Sequence, residues 1–317
     1  MRDTYMEQFS STWTETALQD FRSRPVVVRH NYHEHQAFSD MALAALIERH
    51  PRELTDICTM GDDATARDSW RAGEAGDLSG LELIDAVRNG KLWINLRHAM
   101  DQDEQYRPIF EAMMRDMRAA DPSFRPLTAE AGILISSPSA QVFLHSDVSE
   151  TMLWHMRGVK RFRTYPVEEP YLKSQYMEAI LHHEQTEDIP FQTEWDEAAF
   201  TVDLHPGMAA NWPLHGPHRI ENQSGVNVSV PFEISTPQSR RRNAIHFANG
   251  LMRRQFGMNP TSLAETGLGA EAKLWLTRMW KLKQKVLPAK AKPMPKSERT
   301  FEVDPAAQDG FVDREAA

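Results

Sequence analysis

From residue 127 to residue 235 the chain breaks into short runs of β-branched, aromatic and aliphatic residues. Gly132–Ser136, Gln141–Ser146, Thr151–Met156, Lys160–Tyr165, Phe200–Leu204, Met208–Trp212, His218–Asn222 and Val226–Phe232 all have this character. Turn-forming stretches punctuate them: Ser137-Pro138-Ser139, Arg157-Gly158, His205-Pro206-Gly207 and Gln223-Ser224-Gly225. Repeated short strands with such punctuation predict a sandwich or barrel, because a parallel sheet would need a helix between successive strands. A polar, partly helical insertion at 167–199 interrupts the series.

The flanking regions carry a helical period instead. Residues 1–22 read as helical, and Pro25–Arg29 as a short strand. Ser39 caps a helix whose apolar side is Met41, Leu43, Ala44, Leu46 and Ile47, with Pro51 as its stop. Leu54–Met60 and Leu92–Leu96 read as strands, and the polar stretch 61–80 as a loop. Ser79 opens a helix through Leu81, Leu83, Ile84 and Val87 that Asn89-Gly90 closes. Ile109, Met113 and Met117 mark one side of an amphipathic helix over Tyr106–Ala120. The helical period returns at 239–287, where Ile245, Phe247, Leu251 and Leu274, Trp275, Met279 give two apolar stripes. Both stripes are too apolar for solitary surface helices, so they pack on the barrel or on a second subunit. The Pro/Lys-rich and then acidic stretch 288–317 is expected to be disordered. This divides the chain into an N-terminal mixed buttress (1–126), a β core (127–238), a helical extension (239–287) and a tail.

Composition narrows the class. The 41% hydrophobic and 26% charged residues are a globular mix. No apolar run approaches the roughly 18–20 residues of a membrane helix, and the N-terminus has no apolar secretory segment. A single cysteine, Cys58, excludes an intramolecular disulfide and a multi-cysteine metal site, and fits a reducing, cytoplasmic setting. Net charge is −9 but uneven, with 14 Lys and Arg against 3 Asp and Glu between residues 240 and 300. An acidic body argues against general nucleic-acid binding. The basic segment reads as a solvated helical face; Trp275, Trp280, Lys281 and Lys283 give a competing, weaker membrane-surface reading.

The chemistry concentrates around Leu144-His145-Ser146-Asp147. Residues i and i+2 of a strand share a face, so His145 and Asp147 present an imidazole and a carboxylate together. A second histidine would complete a two-histidine, one-carboxylate face, which suits non-haem Fe(II) with open positions. His218 leads a strand after a Pro/Gly turn. Its rival His215 precedes Gly216-Pro217 and falls in that turn. Lys160 lies fifteen residues after His145, beyond Arg157-Gly158, where a buried ammonium could hold the distal carboxylate of a 2-oxo acid. Arg161 and Arg163 are out of phase with it. Blander readings compete: a His–Asp surface pair, a solvated lysine, surface histidines at His182-His183, loop histidines at His33 and His35, packing for Trp154 and Trp212, and a buried filler for Cys58.

HSDVSETMLWHMRGVKRFRTYP resembles the His-x-Asp block of the cupin-like branch of JmjC-type 2-oxoglutarate oxygenases, and GMAANWPLHGPHRIENQSGVNVSVPFE resembles its C-terminal partner block. RPVVVRHN and LSGLELIDAVRNGKLWINL resemble the leading segments. The resemblance implies a mainly β fold with α, a double-stranded β-helix (jelly-roll, cupin-like) barrel with N-terminal helices and a helical C-terminal extension. It implies Fe(II) on His145, Asp147 and His218, with 2-oxoglutarate as cosubstrate on Lys160. Thr151 stands where asparagine-hydroxylating relatives use an amide near the cosubstrate. Val142 replaces a hydroxyl residue and Pro231 an amide, for which Asn227 or Ser229 is expected to compensate. The implied activity is hydroxylation of a protein side chain or small molecule with O₂, by a homodimer built through the C-terminal helices. The alternatives are a non-catalytic cupin-like sensor that binds a metal or small molecule, and a cupin metalloenzyme that uses no 2-oxo acid.

Overall fold

The computed structural model describes residues 6, 8–66, 69–286 and 298–314. The N-terminal region runs β1 (Ser11–Thr12), α1 (Glu15–Asp20), β2 (Val26–His30), α2 (Asp40–Arg49), β3 (Thr55–Thr59), β4 (Arg71–Glu74), α3 (Gly80–Asn89), β5 (Trp93–Leu96), α4 (Ala99–Gln102) and α5 (Arg107–Ala120). The central region follows with β6 (Thr128–Ala131), β7 (Ile133–Ser136), β8 (Gln141–His145), β9 (Glu150–Thr164), α6 (Ser174–Leu181), β10 (Phe200–Leu204), β11 (Met208–Asn211) and β12 (His218–Ser235). Helices α7 (Pro237–Phe256) and α8 (Leu268–Val286) and strands β13 (Arg299–Val303) and β14 (Phe311–Asp313) complete the described chain. Among the described residues no helix is long and apolar enough to cross a membrane.

Two long strands organise everything else. β9 and β12 pair antiparallel from His218↔Thr164 to Ile234↔Glu150. Arg157-Gly158 and Gln223-Ser224-Gly225 therefore do not end strands, as their composition predicts. The ladder instead shifts register between Asn222 and Ser229, with Gly158 at φ +77° and Gly225 at φ +67°. Glycine admits this left-handed backbone without a Cβ clash, so the ribbon bends and continues. A Cβ on Gly158 would fall 2.7 Å from Asn227 Cγ.

The bend divides the ribbon's neighbours. The first half of β9 and second half of β12 carry β11, β7 and β6, and through β7 the sheet extends to β5, β3, β4, β13 and β14. The second half of β9 and first half of β12 carry β10 and β8. A cavity lies between these two groups, lined by Val142, His145, His218 and Ile220 from one and Leu134, Thr151, Leu153 and Pro231 from the other.

Period two decides which side chains enter it. Thr151 and Leu153 face the cavity, whereas Met152, Trp154 and Met156 pack outward with Val228, Val230, Phe232 and Ile234. That outer face meets Tyr32, Tyr106, Ile109, Met113 and Met117 from the N-terminal elements. Each such side chain, fully buried, contributes about 1.5–3 kcal/mol. Ser79 caps the helix over Gly80–Asn89 as expected, and the structure adds a capping box in which Glu82 accepts from the Ser79 backbone N–H.

Three expectations need correction. Residues 1–22 give a short strand and a six-residue helix rather than one helix, among those described. The stretch 61–80 contains β4, whose Gly73 leaves room for the Phe301 ring; a Cβ there would sit 2.1 Å from it. That contact also overturns disorder for the tail. β13 pairs parallel with β4 and antiparallel with β14, and Phe301 is fully buried. Thr300 to Val303 alternates polar and apolar, which suffices for a strand once a sheet edge is offered. Residues 288–297 and 315–317 of the tail, and residue 287 of the helical extension, lie outside the described residues.

Candidate metal centre

β8 ends at His145 and β12 begins at His218, and the register pairs these two residues directly. Their rings lie 4.0 Å apart between centroids. His145 Nδ1 is 2.8 Å from the carbonyl oxygen of Phe143, and His218 Nδ1 is 3.0 Å from that of Gly216. A carbonyl can only accept, so both rings carry their proton on Nδ1 and turn the Nε2 lone pair inward. Asp147 follows β8 by two residues and completes the face. Its Oδ1 is 3.7 Å from His145 Nε2 and its Oδ2 3.7 Å from His218 Nε2, too long for hydrogen bonds. The three donor atoms lie within 4.8 Å of one another.

This arrangement fits a divalent first-row metal. Two neutral imidazole nitrogens and one carboxylate approach from one side, and the cavity opens on the other. Burial, with His145 close by, lowers the His218 pKa to about 4, so its lone pair is free at neutral pH. Each ligand has an outer partner, a feature that fixes ligand orientation. The Thr151 hydroxyl donates to Asp147 Oδ2 at 2.8 Å. Trp212 packs on the His218 ring at 4.4 Å.

His215 is directed elsewhere. Its backbone is left-handed at φ +64°, and its Nε2 donates to Asn243 Oδ1 at 2.6 Å. The insertion histidine His182 stacks on Phe247, also away from the triad. Cys58 is buried, which pushes its thiol up to about 12.

Lys160 does not line the metal-side cavity. It is 3% exposed and has no carboxylate partner among the described residues. Burial alone lowers its pKa to about 7. It lines a small cavity of about 60 Å³ with Trp93, Ser136 and Asn222. Leu134, Val142, Leu153 and Ile220 line both this cavity and the metal-side cavity of about 370 Å³. Arg161 and Arg163 pair with Asp203 and Glu221, away from Lys160 as their phase predicts.

The structure separates the remaining sequence candidates. Val142 and Pro231 line the cavity. Asn227 does not: its Nδ2 donates to the Ser224 and Gly225 carbonyls inside the β12 bend. Ser229 is held by His155 Nδ1 at 2.9 Å. Polar groups beside Lys160 come instead from Ser136 and Asn222. Asn222 faces Lys160 across the ladder, and its Nδ2 donates to Ser136 Oγ at 2.8 Å and to the Ser137 carbonyl at 2.7 Å. Its Oδ1 is buried and unpartnered.

Sequence reasoning also misses the carboxyls around the mouth. Glu130, Glu187 and Glu233 line the cavity with Arg97 and His98. Burial, then the Asp147 charge, raises Glu187 to about 8 and Glu233 to about 7. Glu187 belongs to the insertion, which a backbone bridge between His145 and Asp188 brings to the site. No local pattern announces that bridge.

No family model matches the chain, and no curated protein matches it. Solved structures do resemble it. One is the X-ray structure of E. coli ycfD, with a TM-score of 0.52 and 17% identity, covering 87% of this chain and 69% of that one. Another is YcfD, a ribosomal oxygenase from Escherichia coli, in complex with cobalt and 2-oxoglutarate. It has a TM-score of 0.50 and 17% identity, covering 92% of this chain and 74% of that one. At this identity the likeness is one of fold.

Proposed function

We propose that this chain is an Fe(II)- and 2-oxoglutarate-dependent oxygenase of the JmjC or cupin-like kind, acting as a hydroxylase. One observation carries the reading: a metal-fitting His145–Asp147–His218 face and a buried lysine without an ion-pair partner line two neighbouring cavities that share Leu134, Val142, Leu153 and Ile220. A buried ammonium without a counter-ion costs free energy. A dicarboxylic 2-oxo acid, with its oxo-acid end at the metal and its distal carboxylate at Lys160, offsets that cost. The fold likeness to a structure containing cobalt and 2-oxoglutarate supports the same pairing.

In this reading His145, Asp147 and His218 hold Fe(II), and Thr151 fixes the Asp147 carboxylate. Fe(II) supplies the redox chemistry with O₂, coupling oxidative decarboxylation of the 2-oxo acid to oxygen insertion into a substrate C–H bond. Lys160 and the Ser136 hydroxyl bind the distal carboxylate. Leu134, Val142, Leu153 and Ile220 exclude water along the cosubstrate. The open, carboxyl-lined mouth is left for the substrate. The test is aerobic succinate formation from 2-oxoglutarate with added Fe(II). Turnover in the wild type and none in Asp147→Ala is expected; succinate from both, at equal rates, would sink the proposal.

We also read the two strand groups around the cavity as a jelly roll, and the buried Cys58 as suited to a reducing, cytoplasmic setting. A homodimer through the C-terminal helices is supported by exposed apolar residues on α8: Leu268, Trp275, Met279, Leu282 and Val286. Sedimentation of the full chain as a dimer, and of Trp275→Glu/Met279→Glu as a monomer, is the expected result. A wild-type monomer at micromolar concentration would contradict it.

A further inference from the structure

One side chain on α7 grips both sides of the ligand Asp147. Asn243 Nδ2 donates to the Val148 carbonyl at 2.7 Å, and Asn243 Oδ1 accepts from His215 Nε2 at 2.6 Å. His215 in turn offers its carbonyl to the Ser146 hydroxyl at 2.8 Å. These contacts close a ring from Asn243 through His215, Ser146, Asp147 and Val148 back to Asn243. The next residue, Gly216, supplies the carbonyl that fixes the His218 ring.

The geometry of the ring is specific. His215 has a left-handed backbone, φ +64°, in a residue with a Cβ. Such a conformation costs free energy and persists only where its surroundings hold it. It sends the ring toward α7 and the carbonyl toward Ser146. His215 is 2% exposed, and burial lowers its pKa to about 4, so the neutral ring has one N–H to give. Asn243 itself neither lines the cavity nor belongs to the triad.

We propose that Asn243 is a positioning residue for the metal centre. Through its amide, α7 sets the spacing between the Asp147 loop and the His218 turn, and thereby the metal affinity. The proposal rests on the metal reading above. Loss of a partner bonded to a ligand weakens metal binding by about 10–100-fold; Asn243, which bonds residues around Asp147 rather than a ligand, is expected to act within that range.

The experiment is an anaerobic Co(II) titration of the full chain, followed by Co(II) absorption. Wild type and Asp147→Ala test the metal reading first: if wild type binds no Co(II), that reading fails and this proposal with it. Given wild-type binding, Asn243→Ala and His215→Leu are expected to lose about 10–100-fold in affinity. His215→Gln, whose amide N–H can replace the Nε2–H, should recover most of it. Asn249→Ala is the control: Asn249 is likewise on α7, and is buried, but its amide donates to Ser262, away from the ligands. It should bind as wild type does. Unchanged affinity in Asn243→Ala, or an equal loss in Asn249→Ala, would overturn the proposal. If Asn243→Ala does not fold, the His215 pair decides, and wild-type affinity in His215→Leu refutes it.

Discussion

The metal end and the lysine end of this region are built by different means. At the metal end the contact that orients each ligand is short in sequence: His145 bonds the carbonyl two residues back, His218 does the same, and Thr151 reaches Asp147 four residues away. At the lysine end Lys160, Ser136 and Asn222 come from β9, β7 and β12, and only the ladder brings them together. The metal end turns two imidazole lone pairs and a carboxylate toward one point, with each Nε2 3.7 Å from an Asp147 oxygen. The lysine end holds a buried ammonium with no ion-pair partner among the described residues, beside a buried amide oxygen that has no hydrogen bond. Converging electron-pair donors suit a cation, whereas a lone buried ammonium suits an anion.

Substitutions at the lysine end should separate the two. Lys160→Ala is expected to cost about 3–5 kcal/mol in 2-oxoglutarate binding, because the distal carboxylate loses its buried partner. That is roughly two to four decades in affinity by calorimetry, with Co(II) affinity unchanged. Ser136→Ala should cost about 1.5–3 kcal/mol, roughly one to two decades, if its hydroxyl shares that carboxylate. Arg161→Ala, pointing the other way, should change neither. Equal 2-oxoglutarate affinity in Lys160→Ala and wild type would place the cosubstrate elsewhere.

A smaller effect follows from titration. Burial lowers the Lys160 pKa to about 7, so the ligand-free protein loses the ammonium as pH rises through 7. A bound carboxylate restores it. Affinity for 2-oxoglutarate should therefore be greatest below pH 7 and fall by up to about tenfold per pH unit above it. Stability of the ligand-free protein moves oppositely. The unfolded lysine stays protonated to about pH 10.4, so the burial cost is full below pH 7 and is relieved between 7 and that value. Lys160→Ala should flatten both profiles; an unaltered affinity profile in that variant would assign the dependence to another group.

The same contrast explains what the sequence discloses. His145, Asp147 and His218 are legible because strand parity and a Pro/Gly turn are local properties, and Ser79 announces its helix for the same reason. Parity also places Lys160 inward and Arg161 outward. Ser136 and Asn222 are silent until the register is known, since Asn222 becomes Lys160's neighbour only through the β9–β12 ladder. Asn227 shares the parity of a cavity residue, but the register shift around Gly225 turns it into the bend. The glycine pairs were ambiguous in kind: φ > 0 serves a hairpin and a bulge equally well. Phe301 depends on the gap at Gly73, more than two hundred residues earlier, which no window along the tail reveals.

The account stands or falls on whether one chain holds a metal and a 2-oxo acid together in this cavity. The most direct measurement is an anaerobic Co(II) titration followed by addition of 2-oxoglutarate, read by Co(II) absorption in wild type, Lys160→Ala and Asp147→Ala. Wild type should take up one Co(II) per chain, and its spectrum should change on 2-oxoglutarate. Lys160→Ala should keep the metal but need far more 2-oxoglutarate for the same change, and Asp147→Ala should lose tight Co(II) binding. Stoichiometric, equally tight Co(II) in Asp147→Ala, or a wild-type spectrum indifferent to 2-oxoglutarate, would contradict the account.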